Sequence, residues 1–447
     1  MTYLEKKQVA ISLLRSLKAK GQVSLKPKFT SHFFRTRKKK NMLDLNSFNQ
    51  VIRVDTQNNF VEVEGMTTFY DLAKTTLKYN LLPAIVPELR NITIGGTISG
   101  LGIESSCFLF GMVHNAILEC DVLTSTGEVI TCSRTQNQEL FYLLPNSIGS
   151  VGYVLKCKFQ LRQAKKYVKL RFIRFSEAQR YFTELKQKCN KKECDFIDGV
   201  VYSKDHYVII EGNLTDQLPL KEKPKNFKMA PFWRFIENKS HDEIFMTTWD
   251  YLWRWDTDAF WAVSGDWMGK LTENKLFRFT LGRYFLRSHI LGKLNHLKKK
   301  YLKSSTLSKE EPILQDLCLD INKCSTFFGW YNEEIAVYPM WICPSSNTTE
   351  KGKYVLHNFD FDYLVDIGIY TGKERQKGKP KNYFNKLLEE KVIELKGMKG
   401  LYSESYFSKE EFWQLYDEKN YVRLKKQFDP ENIFPNIYDK TIGSKTL

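Results

Sequence analysis

The stretch from Val86 to Ser106, VPELRNITIGGTISGLGIESS, limits what this chain can fold into more than any other stretch. Gly95, Gly96, Gly100 and Gly102 are interleaved there with threonine and serine residues. Because glycine has no Cβ, a backbone of this composition can crowd a bulky anion. The stretch therefore predicts a cradle for a diphosphate, and a glycine-rich turn with structural duties only is an alternative of equal weight.

Small and β-branched residues alternate through the same stretch. Ile92, Ile94, Ile98 and Ile103 are separated by glycine, threonine, serine and a single leucine. This alternation favours an extended segment that passes beneath a flat ligand. The glycine spacing does not match the G-x-G-x-x-G motif or a phosphate-binding loop of the G-x-x-x-x-G-K-S/T type. We therefore expect an anion site that differs from a Rossmann strand-to-helix turn.

A second pair of glycines, Gly149 and Gly152, lies directly before a segment with strand periodicity, Tyr153–Leu161. Apolar side chains recur at every second position of that segment, as a half-buried strand requires. Glycines at such a junction mark places where another group can approach the backbone closely. The sequence therefore predicts a second place where the backbone approaches a ligand ring.

The composition is that of a globular protein with two or three domains. The chain has 447 residues, of which 42% are hydrophobic and 14% aromatic, so it can bury full cores. Its net charge of +17 favours anionic partners such as a phosphorylated cofactor or an acidic lipid surface. No nucleic-acid-binding motif accompanies the basic runs, so no nucleic acid partner is expected. The nine cysteines show neither a C-x-x-C pair nor zinc spacing, which predicts reduced thiols and no metal site.

The first residues predict neither a signal peptide nor a membrane-spanning helix. The apolar run from Val9 to Leu14 is followed at once by Arg15 and then by Lys18, and it is too short to cross a bilayer. We expect a cytoplasmic protein, with peripheral attachment to a membrane as the one form of membrane contact.

From Lys165 onwards the order strand, helix, strand, strand occurs twice in the sequence pattern. The predicted segments of the two passes are 166–175, 176–189, 195–203 and 206–212, then 315–320, 322–330, 335–342 and 363–370. Two such passes predict one large, mostly antiparallel sheet with helices on a single face. We therefore predict a first domain at residues 1–164, an α+β substrate domain at 165–425, and a tail at 426–447 that returns to the first domain.

Between the two passes lies an aromatic and basic stretch, residues 231–302, which includes Trp233, Trp249, Trp253, Trp255 and Trp261. Three roles remain open for it. It could form a wall for a large apolar substrate, rest in a membrane interface, or fill a core beneath long loops.

Several motifs, in their order and spacing, carry a family resemblance. TIGGTISGLGIESS, LFYLLPNSIGSVGYVLKCKFQL and LKKQFDPENIFPN resemble the flavin-binding family of p-cresol methylhydroxylase and vanillyl-alcohol oxidase. More narrowly, GIESS, AKKYVKLRF, VYPMWICP, VDIGIY, EEFW and FPNIYDK resemble the delta-24-sterol reductases. The likeness runs in register from about Phe60 to the C-terminus.

The resemblance implies an α+β fold, in which a two-subdomain FAD-binding module at 1–164 faces a substrate cap domain at 165–425. It implies noncovalent FAD, NADPH as reductant, and reduction of a side-chain carbon–carbon double bond of a sterol or similar large apolar substrate. The cofactor-binding residues that it implies are Thr93, Ile94, Gly95, Gly96, Thr97, Ile98, Ser99, Gly100, Leu101, Gly102, Ile103, Glu104, Ser105, Gly149 and Gly152.

Such a reduction needs an acid that gives a proton to the substrate, because flavin supplies only the hydride. Asp366, Tyr338, Glu404 and Tyr406 lie on predicted cap-domain strands, and we name them as catalytic candidates. Strand alternation does not say which face of the sheet carries Asp366.

Two other functions remain open at this stage. One is an FAD-dependent oxidase or dehydrogenase of an alcohol or a sugar lipid. The other is a basic, non-enzymatic adaptor that binds a membrane surface or a nucleic acid. The sequence leaves the oligomeric state undetermined.

Overall fold

The computed structural model describes residues 1–28, 41–228, 230–238, 242–256, 276, 310–347, 350–403 and 405–442. Within these ranges the chain forms two large sheets with helices around them. The strands are β1 (Ser24–Leu25), β2 (Met42–Leu43), β3 (Val51–Asp55), β4 (Phe60–Glu64), β5 (Leu81–Pro83), β6 (Ile117–Leu123), β7 (Val129–Ser133), β8 (Tyr153–Gln163), β9 (Tyr167–Phe175), β10 (Phe196–Ser203), β11 (His206–Thr215), β12 (Glu243–Thr247), β13 (Glu310–Asp320), β14 (Met340–Ser346), β15 (Tyr363–Glu374) and β16 (Met398–Lys399).

The helices of the described ranges are numbered in chain order. They are α1 (Tyr3–Lys18), α2 (Phe69–Thr76), α3 (Ile94–Gly100), α4 (Cys107–Phe110), α5 (Gln138–Leu143), α6 (Ala178–Lys191), α7 (Phe232–Glu237), α8 (Thr248–Leu252), α9 (Cys324–Glu334), α10 (Tyr383–Glu394), α11 (Lys409–Leu415), α12 (Glu418–Phe428) and α13 (Ile437–Thr441).

The first sheet has the order β3-β4-β8-β6-β7, with β5 paired to β8. The second has eight strands in the order β12-β9-β11-β10-β14-β15-β13-β16, and every pairing in it is antiparallel. The chain passes from the first sheet to the second between Gln163 and Tyr167. The predicted α+β class with a large antiparallel sheet is confirmed.

The helices of the second sheet lie on one of its faces. The two passes are β9-α6-β10-β11 and β13-α9-β14-β15, and α6, α9 and α10 share a core with that face. In α6 the buried side chains are Tyr181, Phe182, Leu185 and Cys189, a spacing that puts them on one side of a helix. The opposite face of the sheet joins the core of the first sheet, so the two sheets meet over a shared apolar layer.

The glycine-rich stretch differs from the extended segment that the alternation predicted, because residues Ile94–Gly100 form the helix α3. The Thr93 hydroxyl accepts a hydrogen bond from the Gly96 backbone N–H at 3.3 Å, which caps the first turn. Ile94 and Ile98 are both buried, and their spacing of four places them on one side of the helix. The alternation of small and branched residues was therefore a helical pattern read with the wrong period.

Among the described helices, none is both long enough and apolar enough to cross a membrane.

Candidate active site

A hollow lies between α3 and the loop before β8. Gly100 is buried, yet a Cβ at this position would meet only one atom within 4 Å, Ile148 Cδ1 at 3.9 Å. The Ile148 backbone N–H donates to the Ser99 carbonyl oxygen at 2.7 Å, which fixes the loop beside the helix. The Ser147 hydroxyl is buried and has no hydrogen-bond partner among the described residues. The space beside Gly100 can therefore receive a part of a ligand that lies close to the backbone.

The other glycines of the predicted cofactor segments are explained by packing within the protein. A Cβ at Gly102 would lie 2.6 Å from Val113 Cγ2, and a Cβ at Gly152 would lie 2.6 Å from Val122 Cγ1. At the start of α3, the backbone N–H groups of Ile94 and Gly95 already donate to Thr67 and Gly65. The structure therefore puts the open side of the cradle at the end of α3 rather than at its beginning.

The end of the cofactor segment turns its side chains away from the hollow. Glu104 Oε1 accepts a hydrogen bond from Arg254 at 2.8 Å, and the Ser105 hydroxyl lies 2.9 Å from that of Tyr251. All four side chains are buried. Glu104 and Ser105 thus connect the cofactor segment to the aromatic stretch around α8.

Gly149 and its neighbours are held by cations from the end of the chain. Lys440 Nζ donates to the Gly149 carbonyl oxygen at 3.0 Å, and Lys425 Nζ donates to the Ser150 carbonyl oxygen at 2.7 Å. Gly149 has a φ of +68°, a conformation that side chains rarely tolerate. The sequence pattern gave no sign of these two lysines, since each belongs to an ordinary amphipathic helix.

A group of buried carboxyls lies on the face of the second sheet that meets the first domain. Asp316 on β13 and Asp366 on β15 are both fully buried. The Tyr370 hydroxyl donates to Asp316 Oδ1, whereas Asp366 Oδ1 lies 3.5 Å from Cys318 Sγ. Asp366 Oδ2 has no hydrogen-bond partner among the residues described. Burial raises the pKa of Asp366, and the neighbouring Asp316 raises it further.

Asp366 is close to the end of the glycine-rich stretch. Cys107 directly follows that stretch. Burial is the largest cause that raises the pKa of the Cys107 thiol, and the charge of Asp366 adds a smaller contribution. Glu88 lies inside that stretch and is half-buried. Burial raises the pKa of Glu88, with smaller contributions from Glu104 and Asp316. Carboxyls of the glycine-rich stretch and of the second sheet therefore lie near one another.

One arginine compensates two of these carboxylates. Arg254 is buried and its Nη2 lies 2.8 Å from Glu104 Oε1 and 2.7 Å from Asp198 Oδ2. The indole N–H groups of Trp255 and Trp341 donate to the same oxygen of Asp198 at 3.0 and 3.1 Å. Glu104 and Asp198 are thereby supplied with a cation, and Asp198 also with two indole donors.

Among the other catalytic candidates, Tyr338 lies on the face of the sheet opposite to Asp366. Tyr338 packs on the helix-covered face of the sheet, where its hydroxyl donates to Asn332 Oδ1 at 2.5 Å. Tyr406 is half-buried and its backbone N–H donates to the carboxylate of Glu389. Glu404 lies outside the described residues.

The described part of the aromatic stretch is core. Phe232, Trp233, Trp253 and Trp255 are buried in the layer between the two sheets. Residues 257–275 and 277–302, which include Trp261, lie outside the described ranges.

Two histidines that the sequence reasoning did not select meet at the domain boundary. His114 and His357 are buried, with ring centroids 5.1 Å apart. Neither ring nitrogen of His114 has a hydrogen-bond partner among the described residues. Burial, with a smaller contribution from Arg134, lowers the pKa of His114 to about 3. Both rings are therefore neutral. They lie beside the predicted cofactor segment, because the backbone N–H of Val113, the neighbour of His114, donates to the Gly102 carbonyl oxygen at 3.0 Å.

Comparisons with known proteins identify one domain match and several proteins of similar sequence. The sequence profile of the FAD-binding domain matches residues 16–133. The delta(24)-sterol reductase of Mus musculus is 28% identical over 399 residues, which cover 87% of this chain and 75% of that protein. The delta(24)-sterol reductase of Arabidopsis thaliana is 23% identical over 448 residues, with 90% and 77% covered. Cytokinin dehydrogenase 1 of Arabidopsis thaliana is 29% identical over 143 residues, covering 32% of this chain and 25% of that protein.

The residues present fit the cofactor that the domain match names. The hollow beside Gly100 leaves room where a side chain would intrude, and Ser147 offers a buried hydroxyl without a partner among the described residues. The prediction of FAD as cofactor is thereby confirmed. The same domain match argues against the alternative of an adaptor that binds no flavin. The chain thus carries a match to the FAD-binding domain at residues 16–133, and the proteins described above that are similar to it along most of its length are delta(24)-sterol reductases.

Proposed function

We propose that this protein is an FAD-dependent reductase of a side-chain carbon–carbon double bond, the delta-24 bond of a sterol or a similar large apolar alkene, with NADPH as electron donor. Support comes from its similarity to delta(24)-sterol reductases, of which that of Mus musculus aligns with 87% of this chain. The observation that carries the proposal is a buried carboxyl, Asp366, whose second oxygen has no partner among the described residues, on the sheet face that meets the cofactor domain.

Reduction of an isolated double bond consumes two electrons and two protons. Bound FAD, once reduced, supplies a hydride to one carbon of the double bond. The chain must supply the proton for the other carbon and keep water from competing. We assign this proton to Asp366, because an apolar site keeps a carboxyl protonated near neutral pH. Tyr338 and Tyr406 make other contacts.

We also propose a division of labour along the chain. Residues 1–164 would bind FAD noncovalently through the segment Thr93–Ser105 and the loop Gly149–Gly152. Residues 165–425 would cover the substrate, and residues 426–447 would hold the loop from the far side through contacts such as Lys440 to Gly149. A peripheral contact with a cytoplasmic membrane surface would let a sterol enter without leaving the lipid, and the charge of +17 supports attraction to acidic lipids.

The test follows the flavin spectrum without oxygen. Purified protein with bound FAD is reduced with NADPH, and a sterol with a side-chain double bond is added. We expect the oxidised flavin spectrum to return and the saturated sterol to form, whereas a sterol already saturated at that bond should leave the flavin reduced.

Two outcomes would contradict the proposal. In one, the flavin stays reduced with both sterols until oxygen is admitted. In the other, oxidised protein is reduced by an alcohol or a sugar lipid, which would favour the oxidase or dehydrogenase alternative.

A further inference from the structure

Asp316 and Asp366 are neighbours on one face of the second sheet. In the antiparallel pairing of β13 with β15, Cys318 lies opposite Asp366 and Asp316 lies opposite Gly368. Residues directly opposite each other point to the same face, so the two aspartates are diagonal neighbours about 7 Å apart. Both are fully buried. Two carboxylates this close cannot both remain ionised without water around them.

Their hydrogen bonds are unequal. Asp316 Oδ1 accepts from the Tyr370 hydroxyl, and Tyr402 also favours the ionised form of Asp316, while the second oxygen of each aspartate has no partner among the described residues. Asp366 has the Cys318 thiol at 3.5 Å as its contact, a weak donor. Donors stabilise the charged form of the carboxyl that accepts from them. The charge therefore belongs on Asp316 and the proton on Asp366.

The titratable groups around the pair agree with this arrangement. Lys399 on β16 acts on Asp316 and favours its ionised form. Cys107 on α4 and Cys343 on β14 face Asp366, and burial raises the pKa of both thiols, so they bring no charge. Glu88 is half-buried and lies close enough to Asp316 and Tyr370 to act on them through its charge.

Burial raises the pKa of Asp316 to about 6, with the two tyrosines and Lys399 opposing the rise. For Asp366, burial and the charge of Asp316 act together to raise the pKa. Near neutral pH the pair thus loses its first proton from Asp316 and keeps the second on Asp366.

We infer that Asp316 is a positioning residue, which holds a negative charge beside Asp366 and thereby keeps Asp366 protonated as the acid of the reaction. This inference rests on the proposed function. The O–H bond of Asp366 breaks, and its proton forms a C–H bond with the electron pair of the substrate double bond. The other carbon receives the hydride that reduced FAD supplies, so two electrons leave the flavin. Asp366 is left as a carboxylate and regains its proton from solvent before the next turnover.

The decisive variant is Asp316→Asn, which keeps the shape of the side chain and removes its charge. With the negative neighbour gone, Asp366 should ionise more easily, so its pKa should fall by about one unit or more. The rate at which a sterol alkene reoxidises the reduced flavin should then decline from a pH about one unit lower than in the unchanged protein. Asp205→Asn, an exposed position in the turn between β10 and β11, makes the same charge change and should leave the pH profile unmoved.

A second measurement needs no substrate. Infrared difference spectroscopy of the protein with bound FAD should show a protonated-carboxyl band near neutral pH that disappears in Asp366→Asn and titrates at lower pH in Asp316→Asn. Tyr370→Phe, which removes a donor to Asp316, should transfer this proton to Asp316.

The two ideas fail in different ways. A flavin that no sterol alkene reoxidises would overturn the proposed function, while the infrared titration would still report on the pair. An Asp316→Asn protein with an unchanged infrared titration and an unchanged pH profile would overturn the inference.

Discussion

Gly100 is the residue at which the smallest change should separate cofactor binding from folding. It closes α3, it is buried, and the space beside it holds only Ile148 Cδ1 at 3.9 Å. The protein itself therefore tolerates a methyl group there. A ligand that fills this space would clash with such a methyl group.

We expect Gly100→Ala to weaken FAD binding about tenfold or more, because overpacking a filled site costs about 1–3 kcal/mol. The stability of the protein without FAD should stay the same or rise slightly, since alanine favours a helix over glycine. A fluorescence titration with FAD and a urea unfolding curve of the apoprotein measure the two effects.

Gly329→Ala is the matched control, because Gly329 lies exposed in α9 with nothing within 4 Å of its Cβ position. It should stabilise the protein and leave FAD affinity unchanged. Equal FAD affinity in Gly100→Ala and in the unchanged protein would show that the hollow is not part of the cofactor site.

At the scale of elements, the short helix α8 and the residues after it join the two domains. Arg254 reaches Glu104 in the first domain and Asp198 on β10 in the second. Asp256 adds an ion pair with Arg90, 2.6 Å between Nε and Oδ2, and Arg90 also lies over the ring of Trp253. This element acts through charge as much as through its aromatic side chains.

Arg254→Met should lower the free energy of unfolding by about 3–5 kcal/mol, because it leaves buried carboxylates without their cation. The loss should be smaller at about pH 5 than at about pH 8. Burial already raises the pKa of Glu104, and a carboxyl of raised pKa stabilises the fold below its unfolded pKa and loses that contribution as the pH rises. Urea unfolding at both pH values measures this difference.

Arg234→Met serves as the control, since Arg234 is exposed and its ion pair with Glu237 lies on the surface of α7. Its effect should stay within about 1 kcal/mol at either pH. An Arg254→Met protein that is equally destabilised at both pH values would contradict the assignment of the charges.

The sequence predicted the helices and strands better than it predicted which side of the sheet each side chain occupies. The two strand, helix, strand, strand passes came from period-two and helical patterns that local packing enforces, as in α6 with Tyr181 and Leu185 on one side. The prediction of an extended segment at α3 was wrong because glycine and threonine residues show no strong hydrophobic period. The cap that Thr93 provides favours the helix there. Whether Asp366 faces the helices or the first domain depends on the register with Cys318 and Cys343, which involves residues far apart in sequence.

The residues around Asp366 could not be predicted from the sequence for the same reason. Asp316 and Tyr370 lie on different strands, and the hydrogen bond between them exists only once β13 and β15 have paired. In the sequence Glu88 is a single acidic residue of a loop, and its nearness to Asp316 exists only in the folded chain. Lys425 and Lys440 reach the loop at Gly149 only when the end of the chain has folded back.

At the scale of the whole molecule, the two domains share one apolar layer. Residues of the first sheet such as Val61 and Phe159 belong to the same buried cluster as Val168, Val200 and Trp341 of the second. Neither domain can expose its side of this layer without uncovering the other.

We therefore expect the described domains to unfold in a single cooperative transition rather than one after the other. Far-ultraviolet circular dichroism, tryptophan fluorescence and release of FAD should give coincident curves in urea. Separate midpoints for these signals would mean that the shared layer does not couple the domains.

The contacts of Lys425 and Lys440 with the loop at Gly149 and Ser150 bear on how a damaged gene would behave. A premature stop codon just upstream of Lys425 would spare every strand of both sheets. The shortened product would still have lost the two ammonium groups that hold the loop at Gly149 and Ser150, the loop that we propose to bind FAD. Cells carrying such an allele should accumulate a pale, short-lived polypeptide, and extra riboflavin in the medium should do little to rescue it.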